Sequence, residues 1–197
     1  MVLRDWTVTE GIERASFRTL MAWDSFEAEQ YGGIEYGMKS ASFETVLDLP
    51  RRTDAPLELD FFDPSQVPTS VRDHGWLVAP GRTLTDSPRR YQQYVRDSKA
   101  EFSVSKHGYV VSNCGWFSDR SATFLASGRP VVLQDTGFSE ILPTGDGLLS
   151  YRTIDEALSA VEDVQSRYGH HCRAARDVAV EYFDSKKVLS ELLAEVT

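Results

Sequence analysis

The residues best suited to binding chemistry lie in one stretch, between Asn113 and Gly137. A glycine-containing loop there leads into a short helix that begins at Ser118 or Asp119. A buried strand at residues 131–133 then leads into a second glycine loop. The first turn of a helix has free N–H groups and the positive end of the helix dipole, and both attract anions. Two such loops side by side predict a site for a phosphate-bearing ligand, most simply a nucleotide.

The first loop has a chemical interpretation and a purely structural alternative. The amides of residues 117–120, together with the hydroxyl of Ser118 or Ser121, predict a cradle for a diphosphate. The Arg120 guanidinium would add a charge-assisted contact. The alternative is a capped helix whose polar loop is simply solvated.

The second loop leaves the same choice open. Asp135 and Thr136 are suited to hydrogen-bonding ligand hydroxyls, and Gly137 permits close approach of the backbone. The alternative is an ordinary turn between a strand and a helix, in which Asp or Thr caps the helix. Lys106 stands at the end of another predicted strand, where it either meets a phosphate or lies in a surface turn.

Composition limits the possible partners and compartment. The formal net charge of -9 argues against a nucleic-acid partner, whose phosphates require a basic face. Cys114 and Cys172 form no metal-ligand spacing and no disulfide framework, which favours a reducing compartment. No apolar run approaches the ~20 residues that span a bilayer. We therefore expect a cytoplasmic protein without a membrane span.

The elements that must position the two loops follow from the alternation of strand-like and helix-like segments beyond about Leu57. This alternation predicts an α/β fold with a doubly wound, mostly parallel Rossmann-like sheet, with both loops at the carboxyl ends of its strands. We assign residues 46–197 to this domain and its C-terminal helices. Residues 1–45 form a lead-in or interdomain segment, compatible with the remnant of an N-terminal half. Residues 43–50 are apolar, and their periodicity does not separate strand from helix.

Several common motifs are absent from the sequence. It has no Walker A sequence, no G-x-G-x-x-G, no H-E-x-x-H and no C-x-x-C. It also has no Asp-x-Asp pair that would hold a divalent metal beside a nucleotide. A site without metal is the simpler interpretation.

The same residues carry a resemblance to a known family. Asn113-Cys-Gly-Trp-Phe-Ser118 resembles the His-Cys-Gly-Trp-Asn-Ser loop of plant-type UDP-glycosyltransferases, and Ala126-Ser-Gly-Arg-Pro-Val-Val132 resembles an element common to the major groups of GT-B glycosyltransferases. A bacterial group of glycosyltransferase-like proteins is more similar, through Glu-Phe-Ser-Val-x-Lys, Gly-Trp-Phe-Ser-x-Arg-Ser, Leu-Ala-Ser-Gly-Arg-Pro-Val and Gln-Asp-Thr-Gly-Phe. Asn113 and Thr123 stand where better-known relatives have histidine and an acidic residue.

The resemblance implies the C-terminal half of a GT-B enzyme, which binds a nucleoside-diphosphate sugar as co-substrate and needs no other cofactor. It implies a hexosyltransferase-type activity whose catalytic base lies outside this chain, in an N-terminal half or a partner chain. The alternative is a non-catalytic or truncated domain that binds a nucleotide or a partner without turnover. The residues that the resemblance and the loops assign to the donor and its phosphates are Asn113, Gly115, Trp116, Phe117, Ser118, Asp119, Arg120, Ser121, Asp135, Thr136, Gly137, Phe138 and Lys106.

Overall fold

The computed structural model describes residues 1–8 and 14–196, with the side chain of Gln66 left out. The strands are β1 (Phe17–Met21), β2 (Glu29–Tyr31), β3 (Ile34–Tyr36), β4 (Leu57–Phe61), β5 (Leu77–Pro80), β6 (Ala100–Ser103), β7 (Val131–Gln134) and β8 (Leu148–Tyr151). The helices are α1 (Lys39–Phe43), α2 (Thr69–Asp73), α3 (Pro88–Asp97), α4 (His107–Val111), α5 (Asp119–Ala126), α6 (Ile154–Ser166), α7 (Tyr168–Phe183) and α8 (Ser185–Val196). Short 3₁₀ turns lie between several of these elements.

Six of the strands form one sheet in the order β5-β4-β1-β6-β7-β8, and every neighbouring pair in it is parallel. This is the order of a doubly wound Rossmann sheet, in which the chain reverses direction across the sheet between β1 and β6. The prediction of a Rossmann-like α/β fold is therefore confirmed. Ligands of such sheets bind at that reversal, outside the carboxyl ends of the strands.

The segment 1–45 contributes to this sheet. Strand β1 lies at its centre, where it pairs with β4 on one side and β6 on the other. The same segment carries the antiparallel hairpin β2–β3, which forms a separate two-stranded sheet. Residues 43–50, left open between strand and helix, are helical: they comprise the end of α1 and two 3₁₀ turns.

Both faces of the sheet are covered, as its apolar strands require. One core packs aromatic side chains such as Phe43, Trp76 and Phe102 against α6, and the other packs Tyr94 and Phe124 against α7. The predicted strand at residues 131–133 corresponds to β7, and the predicted strand before Lys106 corresponds to β6. A capping box begins α6: the Thr153 hydroxyl accepts from the Glu156 amide, and the Glu156 carboxylate accepts from the Thr153 amide.

The helix of the opening motif begins where the sequence predicts. Ser118 is the N-cap residue of α5, and Gly128 follows its C-terminus with a φ of 67°. Glycine is favoured there because a left-handed residue at this position satisfies the last carbonyl groups of a helix. The six buried residues of α5, Ser121–Ala126, then fix the helix against the sheet directly beside β6.

Candidate functional site at the carboxyl edge of the sheet

A cavity of about 680 Å³ opens at the reversal point, beside the carboxyl end of β1. Its wall is mostly apolar and comes from the end of β1, the region before α1 and the start of α3. The apolar lining residues are Leu20, Met21, Ala22, Trp23, Met38, Phe62, Pro88 and Tyr91. An apolar cleft with a few polar groups is the usual form of a small-molecule site.

A second cavity of about 220 Å³ lies beside the carboxyl end of β6. Its lining is more polar and includes Ser103, Ser105 and Ser118. Three cationic side chains, Lys39, Lys106 and Arg120, line both cavities. The two cavities therefore meet at a concentration of positive charge, although the chain as a whole carries a net charge of -9.

The Arg120 side chain is held by the protein itself. Its Nε donates to the Glu101 carboxylate at 2.5 Å, one terminal nitrogen donates to the Leu20 carbonyl at 2.8 Å, and the other donates to the Ser103 hydroxyl at 2.8 Å. Glu101 is fully buried, so the pair lies where charges interact strongly. Arg120 thus joins α5 to the ends of β1 and β6, and its charge is largely neutralised by Glu101.

Lys39 differs from Arg120 because its surroundings disfavour its charged form. Burial of its ammonium group, together with the nearby Arg120 guanidinium, lowers its pKa to about 7, although Glu101 acts in the other direction. A cation that is costly to keep charged is stabilised when an anion binds beside it. Sequence reasoning missed Lys39 because it belongs to no motif. Its one local signal is its place at the first position of α1, directly after the glycine-rich hairpin segment.

Lys106 is the third cation, and the sequence did single it out. It is the residue before α4, three positions beyond the end of β6, and its ammonium lies over the rings of Phe26 and Tyr109. The ring centroids are 4.9 and 5.8 Å away, so both contacts are within cation–π range.

The two glycine loops lie side by side at this edge, as their positions in the sequence predict. The Gly115 amide donates to the Thr136 carbonyl at 2.7 Å, and the Thr136 hydroxyl donates to the Trp116 carbonyl at 2.6 Å. Asn113 has a φ of 46° and donates to Glu140 at 3.3 Å. These hydrogen bonds hold the two loops together, so the Thr136 hydroxyl is already engaged within the protein.

Asp135 and Phe138 are also engaged within the protein. The Asp135 carboxylate accepts from the Gly137 amide at 3.0 Å, from the Ser139 hydroxyl at 2.7 Å and from Arg152 at 2.7 Å. These bonds hold the pKa of Asp135 below its usual range despite its burial. Phe138 is buried and packs edge-on against Phe117. The Asp135 and Phe138 side chains stabilise the second loop from within the protein, and they do not line either cavity.

The start of α5 differs in part from the predicted cradle. The Arg120 amide donates to the Asp119 carboxylate at 2.9 Å, whereas the hydrogen bonds among the described residues leave the amides of Phe117, Ser118 and Asp119 unused. The Ser121 hydroxyl is buried without a partner among these residues, beneath the first turn. Among the described residues, the helix start thus offers three of the four predicted amides, together with the Ser118 side chain.

Comparison with solved structures identifies the fold. TarM from S. aureus, solved in complex with fondaparinux, α-GlcNAc-glycerol and UDP, matches 95% of this chain with a TM-score of 0.62 at 13% identity. The GtfA/B complex matches 96% with a TM-score of 0.59 at 14% identity. AviGT4, a glycosyltransferase of avilamycin A biosynthesis, matches 96% with a TM-score of 0.50 at 15% identity. This chain has the GT-B glycosyltransferase fold.

The GT-B likeness covers only part of each of these proteins. The chain spans 36% of the TarM chain, 37% of the GtfA/B chain and 56% of AviGT4, as a C-terminal-type domain would. No protein-family model and no curated protein matches the sequence. None of the helices in residues 1–8 and 14–196 has the length and apolar character that a membrane crossing requires.

The structure of this GT-B domain brings some of the predicted site residues together and separates others. Lys106, Trp116, Ser118 and Arg120 line the smaller cavity together. Residues of the second loop stabilise that wall from outside the two cavities. Among the described residues, no group of three or more histidine, cysteine or acidic side chains is arranged to hold a metal ion.

Proposed function

We propose that this domain binds a nucleoside-diphosphate sugar as the donor half of a glycosyltransferase. The observation that carries the proposal is the pair of cavities that meet at Lys39, Lys106 and Arg120. A ligand that fits both must have an apolar or aromatic end, an anionic centre and a compact polar end. A nucleoside-diphosphate sugar has these three parts in this order.

Each part of the donor matches one region of the two cavities. The base and ribose occupy the larger cavity, where Trp23 and Tyr91 offer aromatic surface. The diphosphate lies at Lys39 and Lys106, within reach of the helix start at Ser118. The sugar enters the smaller cavity, beside Ser103 at the end of β6 and Ser105 just beyond it.

The chemistry proposed for the assembled enzyme is transfer of that sugar. An acceptor oxygen forms a bond to the anomeric carbon while the bond to the diphosphate oxygen breaks, and the diphosphate leaves with the electron pair. Lys39, Lys106 and the helix amides stabilise the negative charge that develops on it. The acceptor proton passes to a general base that we place outside this chain, in an N-terminal half or a partner chain.

The comparisons support this proposal at the level of the fold. TarM was solved with UDP, and GtfA/B was solved as a complex. Because the chain spans about a third of the TarM length, the complete transferase activity belongs to the proposal and not to this domain alone. The alternative remains a domain that binds the nucleotide without turnover. Independence from metal also stays a prediction.

Calorimetric titration of UDP, GDP and dTDP tests the donor site. We expect one nucleotide to bind the wild type, and Lys39→Met to weaken it about 10- to 100-fold, the usual loss for one charge-assisted contact. Lys186→Met removes an exposed lysine from α8 and serves as the matched control. Absence of binding by all three nucleotides would falsify the donor-site proposal. Binding without donor hydrolysis or transfer would support the non-catalytic alternative.

A further inference from the structure

A third cavity, of about 500 Å³, lies between the β2–β3 hairpin and α4. Three aromatic side chains, Phe26, Tyr36 and Tyr109, form its walls together with the carboxylates of Glu27 and Glu29. Phe26 is 71% exposed, so its ring is available to a ligand in this cavity. Neither the predicted motifs nor the donor proposal accounts for this hairpin.

The charges around the cavity limit what it can bind. The Lys106 ammonium already lies over the Phe26 and Tyr109 rings, at 4.9 and 5.8 Å from their centroids, and so occupies the position that a cationic ligand would take. Glu27 and Glu29 at the same cavity repel an anionic ligand. The ligand class that fits is therefore neutral.

The side chains also favour a ligand with two chemically different surfaces. Aromatic rings offer flat apolar surface, whereas carboxylates and the Tyr36 and Tyr109 hydroxyls are hydrogen-bonding groups. A sugar ring has an apolar C–H face and an edge of hydroxyl groups that donate to carboxylates. A neutral saccharide can therefore pack against the aromatic rings and hydrogen-bond to the carboxylates.

The position of the cavity suggests the role of that saccharide. Lys106 and Tyr109 line this cavity and also the smaller donor cavity, so the two are separated by only one layer of side chains. Tyr109 further packs against Trp116, with ring centroids 5.3 Å apart, on the donor side. We propose that the cavity between the hairpin and α4 binds a neutral saccharide acceptor next to the donor sugar. The acceptor role rests on the proposed donor function.

Saccharide binding can be measured without any nucleotide. The probes are maltotriose, cellotriose and triacetylchitotriose, with choline as a cationic comparison, followed by saturation-transfer NMR and titration. We expect at least one trisaccharide to bind, and Phe26→Ala or Tyr36→Ala to raise its dissociation constant about tenfold or more, because aromatic anchors dominate such sites. Tyr31→Ala is the matched control, since Tyr31 lies on the same hairpin, is 79% exposed and does not line the cavity.

The outcomes separate this inference from the donor proposal. If no trisaccharide binds, if Tyr31→Ala weakens binding as much as Phe26→Ala, or if choline binds at Phe26, the saccharide site is wrong even when UDP binds. If a trisaccharide binds at Phe26 but no nucleotide binds anywhere, the saccharide site stands and its acceptor role is overturned. Binding of a trisaccharide and a nucleotide at the same time supports both.

Discussion

Arg120 and Lys39 are both basic residues at the same edge of the sheet, but their surroundings differ. Arg120 donates to Glu101, Leu20 and Ser103, so its position is set by the folded protein. Lys39 has its pKa lowered to about 7 by burial and by neighbouring positive charge. The sequence identified Arg120 because it belongs to a motif. It could not identify Lys39, whose importance comes from the side chains that the fold gathers around it.

Arg120→Ala should therefore reduce stability before it reports on phosphate binding. The substitution leaves the buried Glu101 carboxylate without its cation, and breaking a buried pair costs about 3–5 kcal/mol. Urea unfolding followed by circular dichroism would measure this loss. Arg120→Met combined with Glu101→Gln should recover most of it, because no charge is then left unpaired. A stability of Arg120→Ala equal to that of the wild type would contradict the structural role.

The affinity for UDP should depend on pH through Lys39. Its ammonium is charged below about pH 7 and loses its proton above that value, whereas a bound diphosphate favours the charged form. Affinity should accordingly fall on the order of tenfold between pH 6.5 and 8.5. Lys39→Arg keeps its charge over this range and should give a flatter profile. Calorimetry at four pH values would show the difference, and identical slopes for both proteins would refute the role of Lys39.

At the scale of elements, the start of α5 at Ser118 was among the most predictable features, although the Ser118 side chain makes no capping hydrogen bond. Gly128 and Thr153 act through local backbone conformation and local hydrogen bonds, and end signals of this kind survive in any tertiary context. The β2–β3 hairpin was not predicted. Its strands are three residues long and mostly exposed, and such strands have no buried face to create an alternating pattern.

Gly147 lies at a close contact between the start of β8 and helix α7. It precedes β8 with a φ of 74°, and a Cβ there would lie 2.2 Å from the Ala175 amide nitrogen of α7. Gly147→Ala should destabilise the protein by about 2–4 kcal/mol, from backbone strain and from the clash together. Gly32 has a φ of 59° with open space around it, so Gly32→Ala isolates the strain alone and should cost less. Equal thermal shifts for the two variants would contradict the close approach of α7.

At the scale of the whole molecule, the order of the strands could not be predicted from the alternation of elements. Strand β1 was not predicted because Arg18 and Thr19 interrupt its apolar pattern. The fold compensates for the buried Arg18 charge by pairing it with Asp60 on β4, at 2.6 and 3.1 Å. Arg18 and Asp60 lie 42 positions apart in the chain, so their pairing leaves no local signal in the sequence. The sequence thus predicted the fold class without its central strand.

The same pairing predicts that residues 46–197 do not fold without the segment before them. Removing β1 takes away the strand between β4 and β6, exposes the edges of both, and leaves the buried Asp60 carboxylate without Arg18. A chain of residues 46–197 should lack a cooperative thermal transition by circular dichroism. Deletion of residues 185–197 is the control, because α8 has no buried residues and the sheet does not depend on it. A cooperative transition in the 46–197 fragment would instead support the boundary at residue 45 and require the sheet to close without β1.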